Sequence, residues 1–313
     1  MPRKSRPPPL ETVELRTRDG WSLRADVYEP AHDPAGVAVL AHAMMARRTS
    51  FDRANVARFF VDRGWRVVVF DFRGHGDSGP RAQEGASWSY DDLVRQDLPA
   101  AFAFARGRER KKRRIVLVGH SLGGHVGLAA QGTGGVAFDA IVALGANVWL
   151  RQDEPSLRRW IAKRAVLAAV VATCRRVGRF PVRALRLGSD DEARAYFEDF
   201  DRYARTGRWT SADGSVDYLA ALAEVRVPVL QVVGAADRLA CAPECGARFV
   251  ARCGGLHDVM RVPGVDHMGL VTSEAMRATW DQVERWMQEA DEKERERRSE
   301  DQKIKKGFAQ PPS

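Results

Sequence analysis

Cysteine is scarce in this chain, with 4 in 313 residues, too few for a disulfide framework. Cys241, Cys245 and Cys253 lie close together, but no histidine or fourth cysteine gives them the spacing of zinc ligands. All four read as free thiols of a reducing, cytoplasmic compartment. No run reaches the roughly 18 consecutive apolar residues of a membrane span. The most apolar helical stretch, residues 161–174, is interrupted by Lys163 and Arg164 and reads as an amphipathic or buried helix, so stable membrane insertion is not expected. The basic start runs into three prolines instead of an apolar stretch, so no secretory signal is expected either. Charge of one sign is not lacking, since the net charge is +9. That excess is spread along the chain, and its densest cluster, residues 110–114, precedes a predicted strand at the end away from any binding edge. No basic stripe is interleaved with aromatics and no nucleic-acid module is recognisable, so nucleic acid is not an expected partner.

Strands and helices alternate instead. Residues 11–18 and 21–28 alternate apolar with polar around Asp19-Gly20, a hairpin pattern. Short apolar runs at 37–41, 65–70, 115–118, 138–144, 227–233 and 259–262 predict buried strands. Helical patterns fall at 51–62, 90–105 (with Pro99 as a kink), 124–131, 243–252 and 273–287. This alternation implies an α/β fold with a mostly parallel central sheet covered by helices on both faces. Between 150 and 220 the pattern changes to two helices, 155–174 and 190–203, with no strand expected between them. The expected organisation is a disordered arm at 1–10, a core of 11–149 plus 221–290, an inserted helical cap at 150–220 and a charged tail at 291–313.

The chemistry-bearing residues fall at predicted strand ends, where ligands bind in such sheets. The strand 115–118 runs straight into Gly119-His120-Ser121-Leu122-Gly123, a G-x-S-x-G placed between strand and helix as in a nucleophile elbow. A serine hydroxyl needs a histidine to take its proton and a carboxylate to hold that histidine. The next strand ends supply Asp237 and His267, in the order Ser, Asp, His. Asp266 is the competing carboxylate, but adjacent side chains rarely align for such a contact. Oxyanion donors are expected from the backbone N–H of Leu122 and from the loop His42-Ala43-Met44-Met45, with Met44 preferred and Ala43 the alternative. His42 is expected to brace that loop, His75 to pack or bond locally, and His125 and His257 to be structural or exposed, while the place of His120 within the elbow argues against its facing Ser121 as the base.

With these residues on the page, the chain resembles the alpha/beta-hydrolase superfamily. It is similar to the capped serine hydrolases that include esterases and monoglyceride lipase or lysophospholipase-like enzymes. The resemblance rests on His42-Ala43-Met44, the D-x-R-G-H-G-x-S pattern from Asp71 through Ser78, Gly119 through Gly124, Asp237 and His267, and spans about residues 11–290. It implies Ser121 as nucleophile, His267 as base, Asp237 as orienting acid, and 150–220 as lid. No metal or cofactor is implied. Many members carry His-Gly where this chain has His42-Ala43. The expected substrate is a small ester or lipid-like molecule with an apolar acyl or alkyl part. The same triad could serve a thioesterase, acyltransferase or aminopeptidase, and a non-catalytic binding protein on this fold is the further alternative. The cap and its entry offer Trp149, Leu157, Trp160, Ile161, Leu167, Phe180, Tyr196, Phe197, Phe200 and Tyr203, some of which could line an acyl pocket, though each read singly is ordinary cap core.

Overall fold

The computed structural model describes residues 10–109, 113–290 and 292. Residues 1–9 of the arm expected at 1–10, and most of the tail from 291 onward, lie outside the described residues. So do Arg110, Lys111 and Lys112. Strands are β1 (Glu11–Arg16), β2 (Ser22–Tyr28), β3 (Gly36–Ala41), β4 (Trp65–Phe70), β5 (Arg114–His120), β6 (Ala140–Leu144), β7 (Arg179–Phe180), β8 (Glu192–Ala193), β9 (Val229–Gly234) and β10 (His257–Val262). All except β7 and β8 join one sheet in the order β1-β2-β4-β3-β5-β6-β9-β10. The β1–β2 hairpin and the β2–β4 pair are antiparallel, and every pair from β4 to β10 is parallel. The strand order reverses at β3, with β4 on one side and β5 on the other. Loops leaving β3 and β5 therefore part at a crevice beyond their carboxyl ends, where sheets of this kind bind ligands.

Both faces are covered. On β5, Ile115 and Leu117 pack on one side with Leu98, Val126 and Leu128, while Val116 and Val118 pack on the other with Val283 and Trp280. Two-sided burial explains why the run is continuously apolar. Each of these side chains contributes about 1.5–3 kcal/mol relative to exposure.

The helices are α1 (Val56–Asp62), α2 (Tyr90–Asp92), α3 (Leu98–Gly107), α4 (Leu122–Gly132), α5 (Leu157–Val177), α6 (Arg194–Thr206), α7 (Tyr218–Ala221), α8 (Pro243–Val250) and α9 (Gly269–Thr272), with a further helix over 276–290. Several differ from expectation for identifiable reasons. The helix expected over 51–62 is split, because Asn55 takes a left-handed conformation (φ 52°) that asparagine tolerates. The stretch 90–107 absorbs Pro99 without a break. A π turn over Leu93–Asp97 precedes it, in which the Leu98 N–H donates to the Leu93 carbonyl. The insertion does contain strands, since β7 and β8 pair as a two-residue antiparallel ladder.

Helix α5 inverts the reading of its own charges. Lys163 is one of its buried residues, paired with Glu154 at 2.8 Å, and it shares the inward stripe with Leu167, Val170, Val171 and Cys174. Leu157 and Ile161 lie on the opposite face and are about 60% exposed, so neither belongs to a buried acyl pocket. Phe180, Tyr196, Phe197, Phe200 and Tyr203 are buried in the core shared with α4.

Candidate active site

Ser121 sits between β5 and α4 with φ 51° and ψ −108°, a conformation that costs a non-glycine residue free energy and persists only when its surroundings enforce it. Its N–H donates to the Leu144 carbonyl at 2.8 Å, tying the elbow to the end of β6. The elbow closes because its neighbours lack side chains. A Cβ on Gly119 would lie 2.5 Å from the Gly123 backbone, and one on Gly123 would overlap the Ala41 carbonyl. Among the described residues, no hydrogen bond joins the Ser121 hydroxyl to His267. Such contacts often tighten only when substrate is bound.

The structure does bring Asp237 and His267 together. His267 Nδ1 lies 2.7 Å from Asp237 Oδ2. Asp237 follows β9 and His267 follows β10. The two loops meet because Gly234 lies against the Val265 and Asp266 carbonyls, where any Cβ would intrude. The Asp237 carboxylate also accepts the amides of Leu239 (3.2 Å), Ala240 (3.0 Å) and Cys241 (2.9 Å). Burial alone would raise its pKa. The His267 bond and the backbone amides outweigh burial and hold it below the ordinary value. An ionised Asp237 can only accept, so His267 Nδ1 carries the proton of this bond, and Nε2 is the nitrogen turned to other partners. Asp266 is engaged elsewhere, accepting the Gly269 N–H at 2.7 Å as a turn residue.

His120, the second residue of the elbow, has a role the sequence did not suggest. Its Nε2 donates to the backbone carbonyl of His267 at 3.0 Å. Burial first, then the nearby His267, pushes its pKa down to about 3, so it stays neutral. His125 is also buried and neutral, with Nδ1 3.0 Å from the Tyr90 hydroxyl. Gly145, at φ 61°, leaves room for the His267 ring, because a Cβ there would lie 3.1 Å from Nδ1.

The loop after β3 is fixed from behind. His42 Nε2 accepts the Phe72 N–H at 3.0 Å, so its proton sits on Nδ1, 2.7 Å from the Ala43 carbonyl. Burial holds His42 well below its ordinary pKa, which keeps this tautomer neutral. The Ala43 carbonyl also accepts the Ala46 N–H. In a trans peptide the N–H points opposite to the C=O, so the Met44 N–H faces away from the His42 ring. Neither the Met44 nor the Leu122 amide has a hydrogen bond among the described residues. The two segments are joined directly, since Gly123 N–H donates to the His42 carbonyl at 3.1 Å. The positive φ in this loop is at Met45 (59°), not at Ala43, so the alanine fits without strain.

The D-x-R-G-H-G-x-S loop proves to be a buttress for the loop after β3. Asp71 pairs with buried Arg48, which also reaches Asp26 (3.0 Å) and Asp77 (2.7 Å). Arg73 pairs with buried Asp97, and Ser78 Oγ donates to the Asp71 carbonyl. His75 bonds locally through Nδ1 to the Arg73 carbonyl, but its Nε2 reaches Glu192 in the insertion at 3.1 Å. Glu192 was not among the expected site residues. Its only sequence signal is an acidic triplet, Asp190-Asp191-Glu192, in an arginine-rich segment.

An open cavity of about 500 Å³ lies at the D-x-R-G-H-G-x-S loop, lined by Thr12, Arg24, Gly76, Asp77, Gly79, Arg81 and Glu84, with none of Ser121, Asp237 and His267 in its lining. The described residues hold no cluster of three or more metal-ligating side chains.

With the fold and this geometry established, the family described as serine aminopeptidase, S33, matches residues 32–268. The chain belongs to that family. It is thereby a member of the alpha/beta-hydrolase superfamily. This S33 family chain is 34% identical over 129 residues to a monoacylglycerol lipase of Mycolicibacterium smegmatis, covering 41% of the chain and 44% of that protein. It is 28% identical over 137 residues to the non-reducing polyketide synthase atr1 of Stereocaulon alpinum, covering 40% of the chain and 5% of that protein. The matches thus span less than half the length of these curated relatives. Its fold is shared with a putative aryl esterase from Burkholderia cenocepacia, at TM-score 0.57 and 18% identity over 90% of this chain and 99% of that one.

Proposed function

We propose that this S33 family member is a serine hydrolase that cleaves a carboxylic ester with an apolar acyl or alkyl part through an acyl-enzyme. In this reading His267 Nε2 takes the Ser121 proton as Oγ attacks the carbonyl carbon. The resulting oxyanion is met by the Leu122 N–H at the start of α4 and by the Met44 N–H. Asp237 stabilises the imidazolium by charge and keeps its ring oriented. His267 then protonates the departing alkoxide, and water attacks the acyl-enzyme by the same route in reverse.

The observation that carries the reading is the 2.7 Å bond from His267 Nδ1 to a carboxylate already held by three backbone amides. An aspartate that only capped a turn would not need a histidine from the next strand end. Residues 150–220 fit a lid in this scheme. Trp149, just before that segment, donates through Nε1 to the Ala240 carbonyl beside Asp237, and Glu192 reaches the loop after β3. Among the described residues, no helix is long and apolar enough to cross a membrane. The four buried, unpaired cysteines fit the reducing, cytoplasmic setting read from the sequence.

The test is turnover of p-nitrophenyl esters from acetyl to dodecanoyl by the full chain and by Ser121→Ala. Activity that depends on Ser121 and rises with acyl length supports the reading, and no turnover at any length overturns it. The family description favours one second reading, an aminopeptidase. Turnover of aminoacyl anilides in preference to every ester establishes that reading instead.

A further inference from the structure

The insertion and the loop after β3 are joined by a clasp that the fold alone does not require. Glu192, at the start of β8, is fully buried. Its Oε1 accepts the Met45 N–H at 2.6 Å and the His75 imidazole at 3.1 Å. On the other side of the same residue, Ser189 donates its N–H to the Met45 carbonyl at 2.8 Å, with its hydroxyl 3.3 Å away. Arg47 extends the clasp to the Ser189 carbonyl (3.1 Å) and to Asp190 (3.3 Å). Gly188 lets the strap lie flush, since a Cβ there would overlap the Met45 carbonyl. Met45 is thus gripped at both its N–H and its C=O while holding a left-handed φ of 59°, a conformation that is costly for a non-glycine residue.

A buried ion pair is weak evidence of stability, because an apolar pair of similar volume often serves as well. The Glu192–His75 pair makes more sense as a fixed acceptor. A carboxylate kept ionised by an imidazolium makes a short, charge-assisted bond to an amide. That bond aims the Met45 N–H into the insertion. Together with the His42 bond to the Ala43 carbonyl on the preceding peptide, it fixes the planes on both sides of Met44. Among the described residues the Met44 amide is left without a partner, as is that of Ala43.

We propose that Glu192, held by His75, is a positioning residue: by gripping the Met45 N–H it aims the Met44 N–H at the developing oxyanion, so that the oxyanion site is complete only when the insertion is seated. The proposal rests on the ester-hydrolase reading and names the element of that site contributed by residues 188–192.

The test compares an ester with its thionoester, whose sulfur is a poorer hydrogen-bond acceptor and gains less from oxyanion donors. In the full chain, Glu192→Met removes the acceptor while filling the space. We expect kcat for the oxygen ester to fall about 10- to 100-fold, below the 10²–10³ of losing a donor outright, with KM within about threefold. The thionoester rate should fall much less, so that the ratio of the two collapses. Glu192→Gln keeps an acceptor for the Met45 N–H and should restore the ratio to within about fivefold. If Glu192→Met does not fold, Ser189→Pro deletes the N–H on the opposite side of the clasp and must give the same collapse. Equal loss on both substrates, or unchanged ester turnover, overturns the proposal. Absence of ester turnover in the wild-type chain defeats the ester-hydrolase reading and this proposal with it, whereas wild-type turnover with an unchanged ratio defeats this proposal alone.

Discussion

His120 donates a hydrogen bond from Nε2 to the backbone carbonyl of His267, at 3.0 Å. The residue before the serine of the elbow therefore holds the loop that carries the histidine, and one corner of the site positions another. His120→Phe keeps the ring volume and deletes the donor, leaving a carbonyl without its partner. The expected result is about 1–2 kcal/mol lost in urea unfolding and a several-fold lower kcat, from a His267 no longer pinned at its backbone. Unchanged kcat would show that β10 and the Asp237 bond hold the loop without help.

Asp237→Asn tests the tautomer argument. The carboxylate is shared between two pairs of hydrogens, with Leu239 and Ala240 on one oxygen and Cys241 and His267 on the other. An asparagine turns one of those acceptors into a donor. Facing its NH2 towards His267 forces the proton to Nε2, the wrong nitrogen for a base. Steady-state kinetics should show kcat lower by about 10³–10⁴ with KM little changed.

Gly145→Ala should damage the site from beneath. Alanine at φ 61° is strained by about 1–2 kcal/mol, and its Cβ meets the His267 ring at 3.1 Å from Nδ1. Both a lower thermal midpoint and a kcat loss of at least about 10-fold are expected. Leu270 lies as close to the new Cβ as His267 does. A stability loss with full activity would mean that Leu270 yields instead.

His75 gives the protein a pH-dependent term. Burial disfavours its charge, but Glu192, by charge and by hydrogen bond, outweighs burial and pushes the pKa up to about 9. Asp190 adds to this, neutral His42 packs beside it, and its other nitrogen donates to the Arg73 carbonyl. The unfolded value is near 6.5. A raised folded pKa means that this stabilisation is whole below about 6.5 and is lost as pH rises through about 9. Thermal melts of wild type and His75→Gln should differ most at and just below about pH 6.5 and converge above about 9. A gap that stays constant across that range contradicts the ion pair.

The elbow, the strand ends and the order of Ser121, Asp237 and His267 were legible in the sequence because each follows a continuous apolar run, and such a run marks a strand buried on both faces. The hairpin at Asp19-Gly20 was legible for its turn chemistry. What stayed hidden depends on long-range partners. Lys163 read as a break in an apolar helix because nothing local reveals Glu154 waiting for it. Leu157 and Ile161 read as cap core or pocket lining, and are neither, because periodicity shows that a helix has faces but not which one the core takes. Asn55 and the π turn before Pro99 are tertiary adjustments without a pattern of their own. Glu192 could not be found from sequence, since its partners His75 and Met45 lie more than a hundred residues away.

Covalent labelling tests the central claim most directly. The full chain treated with a fluorophosphonate and digested should carry the adduct on one peptide, at Ser121, and Ser121→Ala, His267→Ala and denatured protein should remain unlabelled. Folded wild-type chain that stays unlabelled, or an adduct at any other serine, contradicts a nucleophile at the end of β5 served by His267 and Asp237.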